Sequence, residues 1–388
     1  MKATSTSSQT IDLLLGALRG AAGRSRRELA EATGLSLATV ARLVSQLIKD
    51  GVLQESGPNL TGGRPSTEVS LTPDAATVLA VDVADHHTEI ALVGWDGAVL
   101  ATRTHVTGTM APPDRLAHTR TITAQALAEH RARAAVVAVG VSIPGPVHHT
   151  GMVEFAPALH WQQVPLGPML AADLGLPVAV HNDANLIAVA ETHHGIRRGG
   201  GSLFALAVYG GVGAGIVIDG RVWNGHGGYA GQIGRMLLEV QSLSSEFPDF
   251  GGLETQLGSV GITRRAESLG IPIDPDREIF EQLFAADSAD LRLAELAEAV
   301  LDQFALSLVN VCALLDPATI VLAGRFAPLA EQVAPRLRQR LDGRVLRVPE
   351  LIGESTAHTG TILGAARLAF DGAGSLSEIV AGLAVTET

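Results

Sequence analysis

The sequence predicts an α/β protein: an N-terminal winged helix-turn-helix head followed by a two-lobed body. Three observations predict this. Residues 25–51 show two helix caps separated by a glycine turn, with a candidate hairpin behind them. From Val78 onward one order is met twice, three strands on short connections and then alternating helices and strands. The charge is also divided. The 388 residues carry a net charge of −12, yet residues 1–70 hold eight Lys/Arg against six Asp/Glu. The only lysines, Lys2 and Lys49, lie in that segment. A mildly basic head on an acidic body is the asymmetry expected if the head alone meets a polyanion.

In the head, residues 10–22 carry apolar side chains at helical spacing. Ser25 and Glu28 form a capping-box pattern, so a helix is predicted to begin near Arg26 and to stop at Gly34. Ser36 can cap the next helix, which ends at Gly51. Val40, Leu43, Val44, Leu47 and Ile48 fall on its apolar face. Ala38, Thr39, Arg42, Ser45, Gln46 and Lys49 fall on the other, as small or polar groups able to approach base edges and phosphates. Helix, glycine turn and helix is the plan that puts a second helix in the major groove. V-L-Q-E and T-E-V-S-L read as hairpin strands, with Arg64 between Gly63 and Pro65 at the tip. A guanidinium there suits a narrow minor groove, or is a solvated loop charge. The head is predicted to span 1–72.

The body is predicted to span 73–388, with lobes at about 78–180 and 181–371. V-L-A-V-D-V, E-I-A-L-V-G-W and A-V-L-A-T-R-T-H-V read as strands, and residues 112–130 as a helix. A-V-V-A-V-G-V-S is a buried strand, L-G-P-M-L-A-A-D-L-G a helix and P-V-A-V-H a further strand. L-F-A-L-A-V-Y, A-G-I-V-I-D and R-V-W open the second lobe, and A-T-I-V-L-A-G follows its helices. Ligands of such sheets sit beyond the carboxyl ends of the strands, where H-N-D-A-N falls. Residues 372–388 read as a short helix without evident function.

Hydrophobic residues make up 46% and charged residues 18% of the chain, as in folded domains. Cys312 is the single cysteine, which excludes an internal disulfide and suits a reducing cytoplasm. The polar N-terminus lacks the apolar core of a signal peptide, and no apolar run was expected to reach membrane-spanning length. Adjacent histidines at 86–87, 148–149 and 193–194 read as surface pairs whose side chains diverge.

With these residues in view, 78–371 resembles the ROK family of sugar kinases and sugar-responsive repressors, on the actin-like/hexokinase-like fold. G-V-S-I-P-G-P-V, containing Gly145, is similar to that family's Pro-Gly loop. V-A-V-H-N-D-A-N resembles its sugar and catalytic segment, and Y-G-G-V-G-A-G-I its second phosphate loop. The head, with its T-G-G-R-P tip, looks like the winged helix of the repressor branch.

Three departures shape what the resemblance implies. The kinase D-x-G-G-T hairpin is replaced by D-V-A-D-H-H-T, so Ala84 and Asp85 stand at the glycines, and no lysine of the body can offset the carboxylate. Asp82 and Asp85 read as a solvated turn. The family's zinc residues are missing: Arg235 stands at the histidine and no cysteine run follows. The sugar clamp keeps Asn182, Asp183 and Glu254 but carries Gln232 and Arg235 in place of Glu and His, and Ala158 in place of Asn. Arg235 could take a hydroxyl, carboxylate or phosphate, or could fill the vacated zinc region as an ion-pair partner. Asp183 would be a kinase's general base; here it is expected as a vestigial base retained as a clamp. The expectation is a cytoplasmic, non-enzymatic, sugar-responsive DNA-binding transcriptional regulator, a repressor of carbohydrate-metabolism genes, without metal or cofactor. Its partners would be double-stranded operator DNA, a sugar or sugar-derivative effector and a second copy of the chain, with no membrane. The alternatives are an active kinase with a DNA-binding head and a scaffold whose head binds protein.

Overall fold

The computed structural model describes residues 2–19, 23–59, 66–108, 110–131, 134–195, 201–247, 251–285, 290–356 and 359–386. The head comprises α1 (Lys2–Leu18), β1 (Arg24–Ser25), α2 (Arg26–Thr33), α3 (Leu37–Lys49), β2 (Leu53–Asn59) and β3 (Ser66–Leu71). Its local logic is the one read from the sequence. Ser25 Oγ accepts from Glu28 N at 3.2 Å, while Ser25 N donates to Glu28 Oε2 at 2.8 Å. Gly34 ends α2 at φ 70°, a left-handed value that a side chain would resist. Ser36 Oγ caps α3 by accepting from Thr39 N at 3.1 Å. The strands form an antiparallel sheet in the order β1-β3-β2.

The first lobe contains β4 (Thr77–Val83), β5 (His87–Gly94), β6 (Val99–Val106), α4 (Pro112–Arg131), β7 (Val136–Ile143), β8 (Val153–Ala156), β9 (Trp161–Val164), α5 (Leu166–Leu174) and β10 (Val178–Asn182). Helix α6 (Asp183–His193) leads to the second lobe. That lobe holds β11 (Leu203–Val208), β12 (Val212–Ile218), β13 (Arg221–Val222), α7 (Glu254–Leu257), α8 (Ser259–Ser268), α9 (Ile279–Leu283), α10 (Leu291–Leu315), β14 (Thr319–Gly324), α11 (Ala330–Leu341) and β15 (Glu350–Gly353). The chain closes with α12 (Gly360–Gly372) and α13 (Leu376–Thr386).

The two large sheets run β10-β7-β4-β5-β6 and β13-β12-β11-β14-β15. Numbered within its own lobe, each has the order third, second, first, fourth, fifth. The repetition seen in the sequence is therefore a repetition of topology. The β8–β9 hairpin and β15 were not anticipated. All three are four-residue strands, too short to show periodicity.

Helices α6 and α12 pack against each other between the sheets. Two glycines allow the approach. A Cβ at Gly215 would stand 2.1 Å from the Ala184 carbonyl oxygen, and one at Gly364 would stand 2.1 Å from that of Leu186. Although α12 is late in the sequence, it lies on β7, β4 and β10 of the first sheet. Helix α10 is long and apolar enough to cross a bilayer by length and composition, and it packs Leu296, Val300, Leu301, Phe304 and Leu308 into the second lobe's core.

Head and first lobe share one core. Leu14, Leu18, Val44 and Leu71 belong to the same apolar cluster as Val78, Trp95, Phe370 and Ile379. The tail has a place in this junction: α13 packs on α1, and Asp12 accepts from Ser377 N at 2.8 Å and Ser377 Oγ at 3.1 Å.

Candidate DNA interface and interlobe site

The outward face of α3 follows from which residues its core claims. Val40, Leu43, Val44 and Leu47 are buried, leaving Ala38, Arg42, Ser45, Gln46 and Lys49 exposed and Thr39 half-buried. Among the described residues, Arg42 and Lys49 have no ion-pair partner. Gln46 is engaged: its Nε2 donates to both carboxylate oxygens of Asp50, at 2.9 and 3.0 Å. Ser36 and Thr39 share a hydroxyl contact of 2.8 Å beside the cap. Arg64 lies outside the described residues.

The interlobe site begins at the end of β10. Asn182 caps α6, its Oδ1 accepting from Ala184 N at 3.1 Å and Asn185 N at 3.4 Å. Its Nδ2 donates to the Gly145 carbonyl at 3.2 Å and to Asp183 Oδ1 at 2.8 Å. Gly145 must be glycine, because a Cβ there would meet the Phe155 carbonyl oxygen at 2.1 Å. Burial pushes the Asp183 carboxyl up to about 7, and the neighbouring charge of Asp82 adds to this against the Ala184 and Asn182 hydrogen bonds. Asp82 is not a solvated turn residue. It lies on β4, accepts from Thr361 Oγ1 at 2.9 Å, and is pushed above the usual carboxylate range by burial.

Gln232, Arg235 and Glu254 form a second group, on the far side of the 211–215 glycine strand. Glu254 Oε1 accepts from Val212 N at 2.9 Å and Oε2 from Gly251 N at 3.2 Å, and burial raises its carboxyl. A Cβ at Gly211 would displace the Glu254 carboxylate from Val212 N. Arg235 is exposed, lowers the Glu254 carboxyl by its charge, and donates to the Phe247 carbonyl at 3.1 Å. It thus tethers the segment where the family's zinc run would lie. Gln232 is half-buried. Asn182 and Glu254, expected as ligand groups, spend most of their hydrogen-bonding capacity on the backbone.

Two features of the cleft were missed. Tyr209 stands at the β11–β12 turn, and burial raises its hydroxyl, with the charges of Glu354, Asp183 and Asp82 acting in the same direction. Those three carboxyls gather on the cleft side of Tyr209. Arg325 opposes them but is paired with Glu278 at 3.0 Å. The other missed residue is Arg115, buried beneath the β4–β5 turn, where its Nη2 donates to the Asp85 and Thr107 carbonyls. A buried arginine in a polar helix segment gives no periodic signal.

The histidine pairs also depart from expectation. The rings of His148 and His149 lie 3.9 Å apart at 44°, because they occupy a turn rather than a strand or helix. His193 is half-buried against Arg367. Among the described residues no group of three metal-capable side chains occurs.

A winged helix joined to two lobes of repeated topology around a polar cleft defines a DNA-binding head on an actin-like body. Residues 78–371 match the ROK family, and residues 10–54 match a winged helix-turn-helix DNA-binding domain. The chain belongs to the ROK family. It is 24% identical over 338 residues to the xylose repressor of Caldicellulosiruptor bescii, covering 82% of this chain and 84% of that protein. It is 25% identical over 338 residues to the DNA-binding transcriptional dual regulator NagC of Escherichia coli K12, covering 83% and 82%. It spans 59% of the length of a further relative, from Caldicellulosiruptor sp. strain Rt8B.4, at 29% identity over 238 residues. The fold is similar to a ROK family transcriptional regulator homologous to the E. coli MLC protein, with TM-score 0.77 and 22% identity over 96% of this chain and all of that one. It is also similar to a ROK family glucokinase from Streptomyces griseus, with TM-score 0.63 and 23% identity over 76% of this chain and all of that one.

Proposed function

We propose that this chain is a cytoplasmic, sugar-responsive transcriptional repressor whose kinase-like body binds its effector without phosphorylating it. One combination of features carries the reading: α3 presents Arg42 and Lys49 without ion-pair partners among the described residues, while the cleft keeps Asp183 and places acids and Tyr209 around the phosphate turns. A triphosphate would meet the Asp85 side chain at the first turn, with no lysine of the body to offset it. At the first turn Arg115 holds the Asp85 carbonyl from behind, and Ala84 and Asp85 supply side chains where backbone N–H groups would have to approach. The turn that would cradle phosphate is therefore degraded.

The effector groups are Asp183, with Asn182 and Gly145 positioning it, and Gln232, with Glu254 and Arg235 beside it. With its carboxyl near 7, Asp183 can donate to or accept from a sugar hydroxyl. Two copies present two α3 helices to adjacent half-sites of operator DNA, so the active species is a homodimer or larger. The second reading, an active kinase, is favoured by Asp183 itself, since a carboxyl near 7 suits a general base.

The test is fluorescence anisotropy on DNA from upstream of the chain's own gene, at two salt concentrations and with a panel of sugars. The expected result is salt-sensitive binding that one sugar changes. Arg42→Ala should weaken it by about 1–3 kcal/mol. ATP-dependent phosphorylation of that sugar by the purified protein would establish the kinase instead.

A further inference from the structure

The junction of head and body contains a small cavity of about 40 Å³, away from the interlobe cleft. Arg19 reaches it from just beyond α1. Arg367 and Phe370 line it from α12, His193 and His194 from the end of α6, and Trp95 from the turn after β5. The charges do not balance. Asp371 is shared, accepting from Arg19 Nη1 at 3.0 Å and from Arg367 Nε at 2.9 Å. Two guanidiniums thus face one carboxylate. Among the described residues, the buried Arg19 Nη2 has no hydrogen-bond partner. The Arg19 guanidinium also lies 5.2 Å from the centre of the Phe370 ring, which fixes its plane but accepts no N–H bond.

His193 adds a donor. Arg367 Nη1 lies 3.3 Å from His193 Nδ1. Arginine only donates, so Nδ1 accepts and the ring proton sits on Nε2. Burial and the Arg367 charge hold the imidazole down to about 4, so it is neutral in the empty site. Arg19 is likewise pulled down to about 10, by burial first and Arg367 second. In both groups burial is the larger cause, the second guanidinium adds to it, and the shared Asp371 opposes it.

We propose that this cavity is a binding site for a small oxyanion of phosphate type, held by Arg19, Arg367 and His193 at the seam between the DNA-binding head and the body. One water occupies about 10–15 Å³ by this measure, so the space exceeds a single water. A tetrahedral anion supplies acceptors in several directions, including one for Arg19 Nη2. The site also lies at the far end of the helix that carries Asp183. Eleven residues of α6 separate the two ends, roughly 16 Å. An anion here would bind head and body residues together and so favour one arrangement of the head.

The experiment uses the full chain and measures binding of inorganic phosphate by calorimetry and by ³¹P line broadening, against chloride at matched ionic strength. A hexose 6-phosphate and its free hexose form a second arm. Phosphate should bind, and Arg367→Gln should weaken it about tenfold or more while leaving sugar binding in the cleft in place. His193→Gln, which keeps the fold's packing volume, should weaken it less. Binding of the ester alone, lost in Arg367→Gln, identifies the anion as the phosphoryl group of a larger effector. An absence of binding by both, or binding unchanged in Arg367→Gln and His193→Gln, overturns the proposal and leaves the cavity to water.

Discussion

The two ends of α6 solve opposite electrostatic problems. At its start, Asp183 sits where the helix dipole favours a negative charge, yet burial and Asp82 push its carboxyl up to about 7. At its end, His193 sits where the dipole favours a positive charge, yet burial and Arg367 hold the ring down to about 4. In both places desolvation outweighs the dipole. The helix therefore carries two suppressed charges, one in the interlobe cleft and one at the seam with the head. A rigid element with an uncharged but ionisable group at each end is suited to pass a change at one site to the other, and α6 is packed tightly enough to move as a unit.

That rigidity can be broken at Gly364. A Cβ there would stand 2.1 Å from the Leu186 carbonyl, and both partners are helix backbone that cannot yield cheaply. Gly364→Ala should cost on the order of 3 kcal/mol in urea unfolding. A cost near zero would mean that α6 and α12 are more loosely packed than the comparison requires.

A similar loss is expected at Glu191, between the two ends. Its buried carboxylate accepts from Ser355 N and Oγ at 2.7 Å each, from Thr356 N at 2.8 Å and from Thr356 Oγ1 at 2.9 Å. These donors follow β15, so the contact ties α6 to the second lobe. Glu191→Ala removes the acceptor of the buried Thr356 N–H and hydroxyl and should destabilise by roughly 2–4 kcal/mol. If α6 couples cleft and head through this anchor, the variant should also lose the effect of sugar on DNA binding, a readout that destabilisation alone would not remove in the folded fraction.

These positions differ in how far the sequence disclosed them. Ser25, Gly34 and Ser36 are local devices, and local devices survive in a linear reading because cap and turn use neighbours in the chain. The H-N-D-A-N segment was placed correctly at a strand-to-helix junction for the same reason. Glu191 was legible in principle, since an acid inside L-I-A-V-A-E-T must find donors if the helix is buried. Its donors, however, lie more than 160 residues away. Tyr209 looked like the aromatic end of a strand, and the tail looked idle. Their roles depend on Asp82, Glu354 and α1, which only the tertiary fold brings near.

The smallest expected effect is also the one that tests both ends of α6 together. Asp183 is raised in the folded state, so the folded chain keeps its proton between about pH 4 and 7 while the unfolded chain loses it. Its contribution to stability therefore falls as pH rises through that window. His193 is lowered in the folded state, so the unfolded chain takes up a proton between about pH 6.5 and 4 while the folded chain does not. Its contribution is intact above 6.5 and falls as pH drops, and His181, lowered to about 4 by burial, acts in the same direction. Within this window the aspartate and the histidines oppose each other. Asp183→Asn removes one side of the contest. The variant should be more stable than the parent at pH 8 by on the order of 1–2 kcal/mol, allowing for the partial exposure of the cleft. Its advantage should shrink toward pH 4, leaving a steeper acid loss set by the histidines. Chemical denaturation across pH 4–8 reads both slopes. Parallel curves for variant and parent would show that Asp183 ionises normally, and the suppressed charge at the start of α6 would have to be abandoned.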